Sequence, residues 1–253
     1  MLMKKIIFLL LVLLTCTLIK SQEVALLLKQ AENYERQFKE PEALAKYKEV
    51  LIAEPNNSKA LLKATELSCT TGARTENKSD KRLVYESALA FAERVVTSDS
   101  LNPASWCMLA LANSKMAEIE QDNKKLGAFI HAVKINADKA LKINPNFGYA
   151  DFLEGKWHYD MLTTHWAKHL AIRASYGSLP EADIDIAISY LEKCKTANPY
   201  FMLNYWILAK AYQFKNRPAP QLETLNKLVK LPIRTFDDTG IKAQAQKMLD
   251  EQQ

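Results

Sequence analysis

An all-α protein built of stacked helix pairs is predicted by three features of this sequence. Glycine is scarce, with 6 residues in 253, whereas sheets and their tight turns use it freely. No segment shows the convincing apolar–polar alternation of a half-buried strand. Four short phrases, AEPNNS, LNPASW, INPNFG and ANPYFM, recur around Pro55, Pro103, Pro145 and Pro199, each between two amphipathic stretches. Proline just past a helix end, with asparagine beside it, stops one helix and restarts the next.

The recurring units carry a recognisable pattern. A repeat of about 34 residues reading W-x2-L-G-x2-Y, then A-x3-F, then P, is the tetratricopeptide signature. Here Ala31 and Tyr34 take the G and Y places, Ala43 and Tyr47 the A and F places, and Pro55 closes the unit. Trp106, Leu109, Ala110, Val133, Ala137 and Pro145 repeat it, and Ala187, Leu191 and Pro199 copy its second half. Small residues belong where two helices cross closely, and large ones fill the gap beside them. The proline intervals of 48, 42 and 54 residues exceed the ordinary period. The fold class expected is therefore an all-α, tetratricopeptide-like solenoid of stacked antiparallel helix pairs with irregular, long repeats.

Taken in order, helices are expected near 23–38 and 41–53 ahead of Pro55, then near 57–71. A polar insert, TTGARTENKSDKR (70–82), precedes a helix near 81–99. Helices near 103–119 and 124–143 flank the polar stretch around Gln121 to Lys125. The piece from Phe147 reads as one long helix, 147–172. SLPE at 178–181 reads as a capping box, with Ser178 as cap and Glu181 three later, opening a helix near 181–197. Helices near 200–215, 219–230 and 238–251 complete the chain, the last preceded by TFDD (235–238), which reads as a similar box with an acid in the glutamate place. Each pair exposes an apolar face that only the next pair can cover, so residues 22–253 are expected to form a single domain.

Residues 1–21 stand apart. MLMKK is a basic start, and Ile6–Ile19 is an apolar run of 14 residues, short for a membrane span and right for a signal peptide. Ile19 and Ser21 suit cleavage ahead of Gln22. Two other readings are open: a lipoprotein signal cleaved before Cys16, and an uncleaved anchor. Membrane contact is expected only if the segment is retained or Cys16 is lipidated. Removing Lys4, Lys5 and Lys20 from 34 basic residues, with all 29 acids kept, lowers the net charge from +5 to +2. No Lys/Arg-rich run remains, so nucleic acid is not an expected partner. Cys69, Cys107 and Cys194 are widely spaced and odd in number, without C-x-x-C. They read as buried thiols rather than a disulfide framework or zinc knuckle.

A family resemblance builds from Gly155 onward. GKWHY (155–159) is followed by Leu162 and Trp166 about a turn apart, then by the loop YGSLP (176–180). EADIDIAISYLEKCKTANPYF, NYWILAKAYQFKN and LVKLPIRTFDD continue in order. Over roughly 103–250 this succession resembles the regulator of microtubule dynamics family, whose C-terminal region is a tetratricopeptide-like helical domain. The resemblance implies the helical fold, an association with microtubules and, for some members, membrane contact sites and lipid binding by the helical domain. An exported protein does not meet cytosolic microtubules, so the signal peptide separates this chain from the named role while leaving the fold intact.

Two constellations bear on chemistry. On a single helix over 147–172, at about 100° per residue, His158, His165 and His169 fall within roughly 40° of one another. They share that stripe with Met161, Leu162 and Ile172, which points the row inward. His165 and His169 are spaced to chelate, but Trp166 stands where an H-E-x-x-H protease needs glutamate. Packed or hydrogen-bonded histidines are the favoured reading and a metal-dependent enzyme the rival. There is no G-x-S-x-G, and GYADFLEGKW lacks the P-loop spacing and its Ser/Thr. Carboxylates read as solvated helix faces. No catalytic residue and no cofactor is expected. Asn56 and Asn77 open N-x-S sequons, which matter only in a eukaryotic secretory pathway.

Aromatic residues are the better lead. Most read as repeat packing, while Trp106, Tyr149, Trp157, Trp166, Tyr205 and Trp206 are candidates for a ligand-binding concave face. The Lys and Asn pairs that clamp peptide carboxylates in some tetratricopeptide proteins are absent, Leu28, Glu32, Cys107 and Leu111 standing in their places. The sequence thus predicts an exported, periplasmic or secreted, non-enzymatic scaffold for a protein or peptide partner. The alternatives are a carrier of lipid or another amphipathic ligand in an apolar groove, and a metal enzyme using His165 and His169.

Overall fold

The computed structural model describes residues 22–251, apart from the Trp166 side chain, and the expected signal peptide lies outside the described residues. Twelve helices and no strand occur among the described residues. The chain forms two compact units, dividing after Ser98.

The first unit contains α1 (22–36), α2 (Glu40–Ala53), α3 (Ser58–Arg74) and α4 (Lys78–Ser98). Helix α3 packs on both α2 and α4. Ala31, Ala43, Tyr47, Val50, Ala60 and Ala64 are wholly buried in one core. These include the small and large residues that the repeat pattern places at helix crossings. The Tyr47 hydroxyl donates to Glu35 across α1 and α2 at 2.5 Å. Chain reversal between those helices uses Phe38 at φ +58°. Asn57 restarts the chain after Pro55, its side chain accepting from the Ala60 amide at 3.0 Å, as an N-cap does.

The second unit contains α5 (Pro103–Ile119), α6 (Asn123–Ile143), α7 (Gly148–Thr163), α8 (Trp166–Ser175), α9 (Ile184–Ala197), α10 (Met202–Phe214), α11 (Pro218–Leu228) and α12 (Asp238–Asp250). The pairs are α5/α6, α7/α9 and α10/α11, with α12 against α10 and α11. Ala110, Ala137, Ala187 and Leu191 are wholly buried at the predicted places. Asn102 caps α5, and Asn144 and Asn198 end α6 and α9. The recurring phrases therefore do act as stop-and-restart signals. Gly155, the glycine of GKWHY, lets α7 approach α9. A Cβ there would lie 2.6 Å from Leu191 Cγ and 2.9 Å from the Ala187 carbonyl.

Two expected boundaries are corrected. The 147–172 segment is two helices, breaking at Thr164–His165. The Thr163 and Thr164 hydroxyls donate to the Tyr159 and Asp160 carbonyls, and such back-bonding competes with helix propagation. His165 then caps α8, accepting from the Ala167 amide at 3.3 Å. Ser178 and Glu181 form no capping box, because α9 starts later. Asp183 is its cap, accepting from the Asp185 and Ile186 amides at 2.7 and 2.9 Å. In TFDD, Asp238 accepts from the Thr235 amide at 2.8 Å, but α12 starts at Asp238 behind Asp237 with no side-chain cap bond, so the expected box is not formed.

Candidate functional site

The inserted helix α8 makes the candidate site. A cavity of about 200 Å³ lies in the second unit among α5, α6, α7 and α8. Its walls are apolar: Leu126, Ile130 and Val133 from α6, Leu153, Trp157 and Met161 from α7, and Ile172 from α8. Polar residues line its solvent side, with Glu118 of α5 and Lys168 of α8 exposed and Lys156 and Asp160 of α7 half-buried. Lys156 pairs with Asp160 one turn away, and Lys115 pairs with Glu118 at 2.6 Å.

Specific bonds hold α8 in place. His169 Nε2 bonds the Met161 carbonyl at 2.6 Å, across the helix break. Beyond α8, the Tyr176 hydroxyl and His131 Nδ1 are 2.7 Å apart. The Tyr176 ring lies against Gly127, where a Cβ would fall 2.5 Å from its Cγ. Gly127 thus gives α6 the close approach on which the YGSLP loop seats. Trp157 fixes the opposite wall, its Nε1–H donating to the Ile130 carbonyl at 3.0 Å and its ring standing edge-on to His158 at 5.1 Å.

The histidines do not form the inward row expected of a single helix. His158 is buried, and its Nδ1 accepts from the Asp183 amide at 3.1 Å. Burial, with Lys134 nearby, holds its pKa below the ordinary histidine value. His165 is exposed at the α8 cap, because the helix break turns it out of the stripe. Among the described residues, no group of three or more His, Cys, Asp or Glu is placed to hold a metal ion. Elemental analysis of purified protein is expected to give no stoichiometric zinc, iron or copper. One metal per chain, retained through mild chelation and lost in a His165→Ala/His169→Ala variant, would instead establish a metal site. Cys69, Cys107 and Cys194 are buried.

The candidate aromatics scatter over several environments. Trp157 is the one of the six, among the described side chains, that lines the cavity. Trp106 is half-buried, donating to the Ser100 carbonyl at 2.8 Å, with Lys139 Nζ 4.2 Å over its ring. Tyr149 packs with Phe152 and Phe201, at 5.8 and 5.7 Å between ring centres. Tyr205 is buried, and its hydroxyl donates to the Pro199 carbonyl at 3.1 Å. Trp206 is half-buried against the α10–α12 core, with Lys210 Nζ 5.5 Å over its ring. The Trp166 side chain is outside the described residues.

One group of polar residues escaped the sequence reading. Asp151 and Glu154 on α7 are buried, not solvated. The Lys134 ammonium reaches Glu154 Oε2 at 2.9 Å and Asp138 at 2.8 Å. Apart from that ion pair, neither Glu154 oxygen has a hydrogen-bond partner among the described residues. Burial pushes the Glu154 carboxyl up to about 7, against the lowering pull of Lys134. Burial likewise pushes Asp151 up to about 6, with Lys193 opposing. The i, i+3, i+7 spacing of Asp151, Glu154 and His158 was the available signal, since it places them on one helix stripe.

Helix pairs of this kind define a tetratricopeptide-like protein. A thermophilic tetratricopeptide-repeat protein of Thermus thermophilus, known from its crystal structure, superposes with a TM-score of 0.65 at 14% identity, covering 88% of this chain and 99% of that one. The family is defined by sequence: the profile of regulator of microtubule dynamics protein 1-3 matches residues 27–253, and the chain belongs to that family. That match reaches through the first unit, well beyond the 103–250 stretch whose motifs suggested it. Regulator of microtubule dynamics protein 2 of Homo sapiens is 22% identical over 174 residues, 68% of this chain and 42% of that protein. Regulator of microtubule dynamics protein 1 of Caenorhabditis elegans is 25% identical over 114 residues, 45% of this chain and 50% of that protein. These matches thus span half of the relatives' length or less.

Proposed function

We propose that this protein is an exported, non-enzymatic scaffold that holds a protein or peptide partner, with the cavity among α5 to α8 as the anchor point for an apolar side chain. The tetratricopeptide-like fold supports a protein or peptide partner. The observation that carries the reading is the cavity itself, with apolar walls beside a charged opening. Such concave, mostly apolar sites with a few polar groups are where small ligands and anchoring side chains bind. About 200 Å³ suits one large side chain better than an extended segment.

The test is selection of a 12-residue peptide display library on residues 22–253, followed by binding to a Val133→Phe variant. Val133 lines the cavity and is buried, so phenylalanine there fills it from within. Selected peptides are expected to bind the variant at least about tenfold more weakly, a loss of about 1.4 kcal/mol. Equal binding by a variant with an unchanged melting temperature would remove the cavity from the interface.

A second reading is favoured by the apolar character of the walls: an amphipathic lipid, its chain inside and its head among Lys156, Asp160 and Lys168. Native mass spectrometry of the freshly purified protein separates the two, since a lipid carrier retains a bound mass of lipid size. Export rests on the basic start and the apolar run of residues 1–21. Fusing residues 1–30 to a reporter active only outside the cytoplasm is expected to give activity. An intact N-terminus on cytosolic protein would contradict export and restore the role in microtubule dynamics that the relatives' names carry.

A further inference from the structure

The cations around the cavity opening are not equally satisfied. Lys156 is matched by Asp160 and Lys115 by Glu118. Lys168 of α8, which is exposed, and Lys210 of α10 have no such pair among the described residues. Lys210 is half-buried, its ammonium 5.4 Å from the ring centre of Tyr159 and 5.5 Å from that of Trp206. Among the described residues, no carboxylate lies within ion-pairing distance of Lys210. Aromatic faces stabilise a cation by about 0.5–2 kcal/mol and leave its N–H donors unused. Tyr159 is a neighbour of the cavity residues Lys156 and Asp160 on α7, and the charges of both act on Lys210, which places it beside the opening.

We propose that Lys210, held between Tyr159 and Trp206, receives a carboxylate of the bound peptide, whose neighbouring apolar side chain fills the α5–α8 cavity. This rests on the peptide-binding reading above. The occupant is thus an acidic peptide segment with a bulky apolar residue beside an Asp, a Glu or the chain's own C-terminus. Lys115, Lys156, Lys168 and Lys210 against Glu118 and Asp160 leave a net positive charge, which favours an anionic group on the ligand. Burial and the neighbouring Lys156 disfavour the charged form of Lys210, with Asp160 opposing. An arriving carboxylate reverses that penalty, so affinity is coupled to the proton on Lys210. The general clamp of lysine and asparagine pairs is absent from the sequence, and this arrangement does not need it, because the aromatic rings orient the cation instead.

The experiment uses the peptides selected above on residues 22–253. Enriched sequences are expected to carry a carboxylate next to Phe, Leu, Ile or Trp. For such a peptide, Lys210→Met is expected to weaken binding about tenfold or more, as loss of a charged hydrogen bond does. Lys210→Arg is expected to retain most of it. Neutralising the peptide, by Glu→Gln or C-terminal amidation, should weaken binding to the native protein and leave Lys210→Met with nothing further to lose. Binding should also fall with added salt. Enrichment of neutral or basic peptides that still fail on Val133→Phe would overturn the carboxylate site while leaving the cavity in use. A Lys210→Met variant that binds the acidic and neutralised peptides as the native protein does would overturn it as well. Vesicles of phosphatidylcholine with phosphatidic acid are the third arm. Lys210-dependent binding to them, without peptide binding, would assign the site to a lipid head group and overturn the peptide assignment. A library that yields no binder sensitive to Val133→Phe would remove both readings together.

Discussion

Replacing Trp157 by alanine is expected to destabilise the folded protein by about 3–5 kcal/mol, the range for truncating a buried aromatic. The residue is 4% exposed, so nearly all of its indole is out of water. Three losses combine. The free energy of burying the ring's apolar area is lost. The Ile130 carbonyl loses the donor that stands 3.0 Å away. The space released merges with the neighbouring cavity, and its cost grows by about 24 cal/mol for each Å³ left unfilled. Urea unfolding of residues 22–253, followed by circular dichroism, measures the change. Trp157→Phe separates these effects, because it keeps an aromatic wall and removes only the N–H donor and part of the volume. That variant is expected to lose about 1–3 kcal/mol. A Trp157→Ala protein with an unchanged melting temperature and lost peptide binding would make Trp157 a contact for the partner, and its place in the wall would be incidental to stability.

The fold was legible in the sequence because the repeat pattern encodes geometry directly. Ala31, Ala43, Ala110, Ala137 and Ala187 are wholly buried, since two helices cross there too closely for anything larger. The phrases around Pro55, Pro103, Pro145 and Pro199 were legible for a similar reason, as proline and asparagine leave the backbone few choices. The break at Thr164–His165 was not legible. Met161, Leu162, His165, His169 and Ile172 keep a helical period across it, and periodicity cannot sense a change of axis. The candidate site depends on that break, because α8 must leave the line of α7 to wall the cavity. Of the six aromatics named from sequence, Trp157 reached the cavity, and Trp206 stands beside it through Lys210. Tyr205 is buried in the same α10–α12 core against which Trp206 packs. Aromatic density alone does not say which ring faces the core. Lys210 carried no local signal, and Asp151 and Glu154 carried only the shared stripe with His158. Their importance comes from neighbours on helices far along the chain: Tyr159 for Lys210, Lys134 for Glu154 and Lys193 for Asp151.

Glu154→Gln is expected to stabilise the protein at pH 8 and to flatten its dependence on pH. The side chain is wholly buried, and its carboxyl is pushed up to about 7 by burial, outweighing Lys134. In the unfolded chain the same group releases its proton at its ordinary value of 4.5. Between those values the folded state binds the extra proton, so stability falls as pH rises through the window. Fully developed above pH 7, the effect reaches at most about 3 kcal/mol, taking about 1.36 kcal/mol for each tenfold change in proton affinity. Asp151 acts with the same sign between 3.8 and about 6. His158 acts with the opposite sign: its lowered pKa means that stability is lost as pH falls below 6.5. The native protein should therefore lose stability between pH 4.5 and about 7 mainly through Glu154, with Asp151 adding to the loss below about 6 and His158 opposing it below 6.5. Glutamine keeps the shape, leaves Lys134 its ion pair with Asp138 and cannot ionise. At pH 5 the buried Glu154 is protonated and only the unfolded carboxyl has begun to ionise, so native and variant stabilities should differ by less than about 1 kcal/mol. At pH 8 the variant should be more stable by about 1–3 kcal/mol. Urea unfolding at pH 5, 6.5 and 8 provides the comparison. Parallel curves for the two proteins would show that Glu154 is ionised throughout, held by the Lys134 ammonium at 2.9 Å. Burial would then be the weaker of the two influences on it, and the buried ion pair would stand as a fixed element of the α6–α7 contact at every pH tested.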